Sequence, residues 1–540
     1  MNSVDALLRR LEQLNAIGAA LSKERDISCL LERILLAAQS ITQADGGTFY
    51  RTTEDGKALR VEILRTDSLQ IAMGGPGGKP IVFPDLPLYK VDNQPNDALV
   101  AAYCAIHNQT VNIADAYNEA DFDFSGTRLF DARTGYRSKS FLAVPMKDHD
   151  GCVIGVLQLI NAMDVATGAV RSFSAADQSL AESLASQAAI AVTNRNLMQQ
   201  METLFESFIS LINVAIDEKS PYTAGHCDRV PALTMMLAEA ANSVQAGPLQ
   251  SFCMDARDVY ELKIAGLLHD CGKVTTPVHV VDKQTKLQTL FDRIELIDTR
   301  FEVLKRDHEI ATLKAQLALR DAKDAAAEAQ LWQQHQTQLQ AFDSERDFLR
   351  NANRGAEFML PADVQRVKDL ASGYRWSAPD GQQSPFLSDD ELENLTIRAG
   401  TLTAKERDII NYHIVATIKM LDQLPWPRHL KNVPEYAGGH HERMDGKGYP
   451  KGLTRDQMSV QARIMGIADI FEALTARDRP YKKGMTLSEA MRIMHKFRLN
   501  GHIDPDLFEV FLTEKVYLRY AEQFLEPWQI DDVNPADWAG

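Results

Sequence analysis

The sequence is short of the features that mark secreted, membrane-spanning or nucleic-acid-coating proteins. Its six cysteines, Cys29, Cys104, Cys152, Cys227, Cys253 and Cys271, never fall at Cys-x-x-Cys spacing. That gives neither a zinc ribbon nor a disulfide framework. The start, Met1-Asn2-Ser3-Val4-Asp5, lacks the basic and apolar regions of a signal peptide. No apolar run approaches the roughly 18 residues of a membrane helix. Basic residues are the minority, 58 Lys and Arg against 74 Asp and Glu, for a net charge of −16. A protein that coats nucleic acid needs a basic face to neutralise phosphates, so a nucleic-acid polymer is not the expected partner. These absences predict a cytoplasmic chain without membrane insertion. A small anionic substrate stays compatible, because a few local cations outweigh a global charge.

Glycine and proline are missing from two long tracts, 174–220 and 278–354, and both read as helix. The rest is ordinary: 540 residues, 45% apolar and 24% charged, which predicts a globular protein of two or three domains.

Residues 5–42 carry helical periodicity (Leu7, Leu8, Leu11, Leu14, Ile17, then Leu30, Leu31, Ile34, Leu35, Ala38). Strands follow at 47–51 and 58–65 across a turn at Glu54-Asp55-Gly56, and a hairpin pairs 140–146 with 152–161 around Asp148-His149-Asp150-Gly151. Helix, strands and helix in this order describe an α/β sensor module. Ser174-x-x-Asp177 can cap the helix after it. Along that helix Leu180, Leu184, Ala188, Ala191, Met198, Met201, Phe205, Phe208 and Ile212 recur mostly at steps of three, four or seven. A continuous helix would span roughly 70 Å and pair with its copy in a homodimer; two helices broken near Asn194 are the alternative. Further on, Leu290, Ile294, Ile297, Phe301 and Leu304 form a coiled-coil seam, which predicts a helical hairpin ending in the looser stretch 375–385. This arm is either regulatory or dimer-forming, or a decoration without chemistry.

The chemistry-bearing residues lie in the C-terminal part: Gly225-His226, then His269-Asp270-Cys271-Gly272-Lys273, His413, His440-His441-Glu442 and Asp469. An adjacent His-Asp pair offers a neutral nitrogen and a carboxylate. The carboxylate can bridge two cations while distant His and Asp residues close each coordination sphere. His269-Asp270 follows the apolar Ile264, Leu267 and Leu268, which predicts an inward-facing helix. A His pair alone is more often a surface or core feature.

Four blocks, PYTAGH (221–226), HDCGK (269–273), HHERMDGKGYP (440–450) and ADIFEALTARDRPYKK (468–483), resemble the signature of HD-GYP phosphodiesterases, bacterial enzymes that hydrolyse cyclic di-GMP. The resemblance implies that His226, His269, Asp270 and Asp469 are metal ligands. His413, His440 and His441 would hold a second cation, with Asp270 as the bridge. It implies two divalent ions, iron or manganese by the mixed ligand set, because Tyr222 stands where relatives with a third metal carry Glu. Asp270 and Lys273 would be catalytic. Lys273, Arg479 and Lys482 would hold substrate phosphates, and Tyr449 would lie in a substrate-handling loop. Glu442 and Asp445 would brace that loop or orient ligands. The product would be pGpG and then GMP. A catalytically silent receptor, or a hydrolase of a related dinucleotide such as cyclic GMP-AMP, is the alternative.

TGYRSKSFLAVPMKDHDGCVIGVLQLIN (134–161) resembles a GAF domain of cyclic-nucleotide phosphodiesterases. Asn161-Ala162, Phe173 and Asp177-Gln178 depart from the family's Asn-Lys, Phe, Asp-Glu motif. A cyclic nucleotide or other small ligand and a purely dimerising domain are therefore both open. The expected organisation is a GAF domain at 1–173, a connecting helix at 174–220 and an all-α HD-GYP domain at 221–540 with a helical insertion at about 286–400.

Overall fold

The computed structural model describes residues 26–219, 225–322, 325–355, 358–477 and 484–534, which form two compact units divided between Phe205 and Glu206. Arg479 and Lys482, Tyr222 and the first part of the expected N-terminal helix lie outside the described residues.

The first unit is a mixed layer structure. Helix α1 (Ile27–Thr42) is capped by Asp26, whose carboxylate accepts the Cys29 amide. It leads into strands β1 (Ala44–Thr52), β2 (Ala58–Thr66), β3 (Ile71–Gly74) and β4 (Leu86–Pro87). Helix α2 (Val100–His107), β5 (Val111–Ile113) and α3 (Ser125–Thr134) precede the hairpin β6 (Phe141–Lys147) and β7 (Val153–Met163), and β8 (Val170–Arg171) closes the set. The antiparallel sheet runs β3-β2-β1-β7-β6-β5, with β4 on β2 and β8 on β7. The register places Phe49 opposite Leu157 and Val144 opposite Leu157 on its other side. Side chains alternate across the pleat. Phe49, Leu142, Val144, Leu157 and Leu159 bury against α1 and the following long helix, while Phe141, Ala143 and Val156 bury against α2 and Phe124.

That long helix, α4, is unbroken over Ala175–Lys219, 45 residues. Ser174 and Asp177 cap it reciprocally: the Asp177 amide donates to Ser174 Oγ at 3.1 Å, and the Ser174 amide donates to Asp177 Oδ2 at 3.0 Å. Leu180, Leu184 and Ala188 are buried on the sheet, whereas Met198, Met201, Leu204, Phe208 and Leu211 are exposed.

The second unit is helical. It holds α5 (His226–Asn242), α6 (Ala256–Leu268), a 3-10 turn (Cys271–Thr275) and α7 (Val278–Val281). The insertion follows as α8 (Ile294–Ala322), α9 (Ala325–Asn353), α10 (Pro361–Gly373), β9 (Arg375–Ser377), β10 (Gln383–Pro385) and α11 (Asp389–Leu395). Then come α12 (Ala404–Leu421), α13 (Val433–Gly438), α14 (Val460–Thr475), α15 (Leu487–Leu499), α16 (Pro505–Thr513) and α17 (Val516–Phe524).

The seam expected in the insertion is real for Ile297, Phe301 and Leu304, which bury with Phe342, Leu349, Val367, Leu370 and Phe386. Leu290 is not part of it. It precedes the first turn of α8 and is 95% exposed. The stretch expected to be loose is an antiparallel ribbon, with Ser377 opposite Gln383 across a turn at Gly381, whose φ of +79° suits a residue without Cβ. No described helix is long and apolar enough to cross a membrane.

Candidate metal centre

Three of the five histidines of the cluster are aimed by their own backbone. His269 Nδ1 lies 2.7 Å from the Gly266 carbonyl, His440 Nδ1 2.6 Å from Ala437 and His413 Nδ1 2.5 Å from Ile410, every one three residues earlier. These bonds fix Nδ1 as the donor and leave Nε2 as a lone pair pointing inward, the arrangement a metal-ligating imidazole needs. The His269-Asp270 pair is not inside a helix, as its apolar approach suggests. His269 is the C-cap of α6, and Asp270 sits in the bend before the 3-10 turn. The bend lets adjacent residues turn both side chains the same way, which helical neighbours about 100° apart do not do.

Asp270 occupies the middle. Its Oδ2 is 3.0 Å from His226 Nε2, 3.2 Å from His269 Nε2 and 2.6 Å from Lys273 Nζ. Its Oδ1 faces the other way, 3.3 Å from His413 Nε2. His441 Nε2 lies 3.1 Å from that same His413 nitrogen, and Asp469 Oδ1 lies 3.4 Å from His226 Nε2. The geometry thus resolves two groups of potential ligands, His226-His269-Asp270 and His413-His440-His441, with the ligand atoms of each within 4.8 Å of one another. His269 Nε2, Asp270 Oδ1 and His440 Nε2 are buried without a hydrogen-bond partner. Orphaned lone pairs of this kind are costly unless a cation takes them, so the donor set fits divalent metal.

The electrostatics agree. Burial and the neighbouring His441 and His269 hold His440 well below its ordinary pKa, and burial pulls His441 down to about 4. Both are neutral imidazoles at physiological pH, the form that a metal ligand requires. Burial disfavours the Asp270 carboxylate, but Lys273, His269 and His226 overcome it and keep its pKa well below the usual range. Asp469 is likewise held low against burial by His226. Lys273, only 26% exposed, stays charged beside Asp270 although burial opposes it. His441, Asp469 and Tyr449 are the partly open side of an otherwise buried cluster. Tyr449 stacks on His441 with ring centroids 4.8 Å apart. Its loop is pinned by buried Glu442, which accepts the amides of Lys451 at 2.7 Å and Leu453 at 2.8 Å. Asp445 binds Arg443 and the Lys447 amide, bracing the same turn.

Two residues escaped the sequence reading. Glu472 Oε2 is 2.6 Å from His226 Nδ1, and its Oε1 accepts from Arg229 at 2.7–2.8 Å. His226 thus has carboxylates on both ring nitrogens; burial disfavours its charge, yet Glu472 holds its pKa well above the ordinary value. The signal was present: Glu472 follows Asp469 by one helical step in an otherwise apolar stretch. Gly272 is the other. A Cβ there would stand 2.0 Å from the His413 carbonyl and 2.5 Å from the Thr417 amide.

Comparison with known proteins places these features. The GAF domain model matches residues 26–192, and two HD domain models match 223–345 and 389–507. A cyclic di-GMP phosphodiesterase of Pseudomonas aeruginosa is 49% identical over 115 residues, 21% of this chain and 27% of that protein. A 3'3'-cGAMP-specific phosphodiesterase of Vibrio cholerae is 39% identical over 107 residues, 20% and 23% of the two chains. A cyclic di-GMP phosphodiesterase of Thermotoga maritima is 35% identical over 121 residues, 22% and 32%. The chain therefore spans less than a third of the length of each of these curated relatives. An HD domain implies divalent-metal binding. One chain thus joins an N-terminal region that matches the GAF domain model to a C-terminal region that matches HD domain models.

Proposed function

We propose that this protein is a metal-dependent phosphodiesterase that opens cyclic di-GMP to linear pGpG and then cleaves pGpG to GMP. The observation that carries the reading is the orientation of Asp270, one carboxylate oxygen toward His226 and His269 and the other toward His413. A carboxylate so placed suits a bridge between two cations, held by His226, His269 and Asp469 on one side and His413, His440 and His441 on the other. Iron or manganese suits this mixed nitrogen and oxygen set. When bound, such ions activate water and offset the charge that grows on phosphate.

The chain's own groups supply the rest. Lys273 is charged, half-sheltered and one side chain away from Asp270, so its ammonium can hold a phosphate oxygen and give a proton to the departing 3'-oxygen as the P–O bond breaks. Tyr449, fixed over His441, offers a flat face for a guanine base. Arg479 and Lys482 are assigned to the second phosphate on the motif alone. The proposed limits are a GAF domain to 173, a connecting helix to 220 and a catalytic domain beyond. The exposed apolar side chains of α4 from Ile190 to Val214 support a homodimer through that helix, and the GAF domain is proposed to take a cyclic nucleotide or similar small ligand.

The test is hydrolysis by protein purified with manganese or iron, the products being resolved by chromatography. Cyclic GMP-AMP serves as the comparison substrate, because a Vibrio cholerae relative is named for it. Appearance of pGpG and GMP supports the reading; no product from the metal-loaded protein, or undiminished turnover by Asp270→Asn, refutes it.

A further inference from the structure

The last turn of α4 touches the metal centre's framework through two contacts that the chemistry above leaves unused. Lys219 Nζ donates to the backbone carbonyl of Lys273 at 3.3 Å and to that of Val274. Both carbonyls belong to the 3-10 turn whose Lys273 ammonium meets Asp270. Two residues earlier, Asp217 Oδ2 accepts the amide of Gly225 at 3.3 Å. Gly225 is the N-cap of α5, the residue before His226, and its φ of +77° is a left-handed conformation. Ile209, Asn213 and Ile216 are buried at steps of four and three, so one face of this helix end is seated in the helical unit and its side chains are held at fixed height and azimuth.

The 3-10 turn is short, and the Val274 carbonyl lies at its end, where helical donors run out. The Lys273 carbonyl already accepts the Thr276 amide at 3.1 Å, so the ammonium adds a second bond there and gives the Val274 carbonyl a charged donor, which fixes the turn more firmly than a neutral donor would. We propose that Lys219 is a positioning residue: it clamps the His-Asp turn so that Lys273 faces Asp270. Together with the Asp217–Gly225 bond, it makes the rotation and height of α4 a determinant of the site's geometry. Lys219 acts only through the turn and touches no reacting atom. A rotation of α4 would draw the ammonium off the two carbonyls and free Lys273, while Asp217 would pull on the residue that starts α5. The helix is then a regulator of turnover and not only a connector. The inference rests on the phosphodiesterase reading of the site.

The experiment uses the full chain, manganese-loaded, as wild type, Lys219→Met and Lys219→Arg. Manganese binding is measured by calorimetry, amide hydrogen exchange is followed over 269–276, and kcat and KM are measured on cyclic di-GMP. A displacement of about 1 Å in such a site costs up to about a hundredfold. Lys219→Met is therefore expected to lower kcat on the order of tenfold or more, with KM and manganese binding near wild type and faster exchange confined to 271–275. Lys219→Arg, which can reach the same carbonyls, is expected to restore both kcat and exchange. Wild-type exchange and kcat in Lys219→Met would overturn the proposal, as would a kcat loss that arginine does not rescue. If Lys219→Met melts early, Lys219→Gln replaces it, and unaltered exchange in that variant counts as refutation. A wild type that binds manganese yet cleaves nothing would sink the phosphodiesterase reading while leaving the exchange data to judge the clamp.

Discussion

Replacing Glu472 with glutamine separates the ligands of the centre from the residues that aim them. Glu472 is 1% exposed and serves two partners at once, His226 Nδ1 at 2.6 Å through Oε2 and Arg229 at 2.7–2.8 Å through Oε1. The amide of Glu472→Gln keeps the volume and one acceptor oxygen, but its NH2 faces either the imidazole or the guanidinium. One of the two loses its acceptor in a buried place. Outer partners of ligating histidines typically carry about 10–100-fold in metal affinity, equivalent to about 1.4–2.7 kcal/mol. The loss should fall on the group that contains His226 and spare the group of His413, His440 and His441, where the Nδ1 atoms of His413 and His440 are held by backbone carbonyls. Manganese titration of the metal-stripped protein reads this directly. Wild type is expected to show two binding steps, and Glu472→Gln one unchanged and one weakened by the factor above. Stability should fall as well, since removing one partner of a buried ion pair costs up to about 3–5 kcal/mol and the isosteric amide mitigates this. Two unchanged binding steps in a variant whose melting temperature has dropped would refute the reasoning, because Glu472 would then support the fold alone.

Asp270→Asn removes the charge shared by both ligand groups while keeping its shape, so activity should fall by more than the about 10–100-fold expected of an outer partner, as initial rates on cyclic di-GMP would show. Gly272→Ala puts a methyl 2.0 Å from the His413 carbonyl; overpacking of this kind costs about 1–3 kcal/mol and should lower both Tm and metal affinity, whereas an unchanged Tm would mean that α12 can retreat freely. Lys286 in the insertion is 2% exposed, its ammonium meets the Met359 sulfur and the Leu395 carbonyl, and burial pulls its pKa down to about 8. A base with a depressed folded pKa destabilises the fold while it must be charged: the deficit is full below pH 8, fades as pH rises from 8 toward the unfolded value of 10.5, and amounts to about 3 kcal/mol. Lys286→Met should therefore raise Tm at pH 7 and lose most of that advantage by pH 10, which thermal melts across the range would check.

Much of the architecture was legible because period and punctuation are local. The β6–β7 hairpin follows from two apolar runs on either side of the turn Asp148-His149-Asp150-Gly151, and the unbroken α4 from the lack of any breaker between Ser174 and Ser220. Local signals failed where a residue's state depends on what packs beside it. Leu290 continues the seam's spacing backwards, but the Thr285–Asp292 hydrogen bond and the isolated bridge between Gln288 and Asp292 hold that stretch as a loop, and α8 begins only at Ile294. The apolar approach to His269 read as helix to the end of the motif, because nothing in the sequence says that the chain must bend for Asp270 to face the same way as its neighbour. Glu472 left a signal whose meaning stayed hidden for a related reason. A lone carboxylate in an apolar helix is an anomaly in sequence, and only the fold shows that a histidine 246 positions away explains it.

The insertion poses the harder question of how a site divided by so long a detour keeps its geometry. Gly272 and Thr417 are 145 positions apart, yet the Gly272 amide donates to Thr417 Oγ1 at 2.9 Å. Loop closure over such a span would be costly if the intervening chain were flexible, though the cost grows only as the logarithm of length. The chain avoids most of it by giving the detour a core of its own and by joining its ends. Thr401 Oγ1 donates to the Lys283 carbonyl at 3.0 Å across the two ends, and the Lys286 amide ties the first end to the middle of the detour by donating to the Asn353 carbonyl at 2.9 Å. Buried Lys283 then binds both Asn394, inside the insertion, and Glu406, in the first turn of α12. Glu406 also closes the capping box with Thr403, so the ion pair sits at the start of the helix that presents His413 one heptad later. For the metal centre the detour therefore behaves as a short, rigid link, and the register of α12, not the length of the insertion, decides whether His413 reaches Asp270.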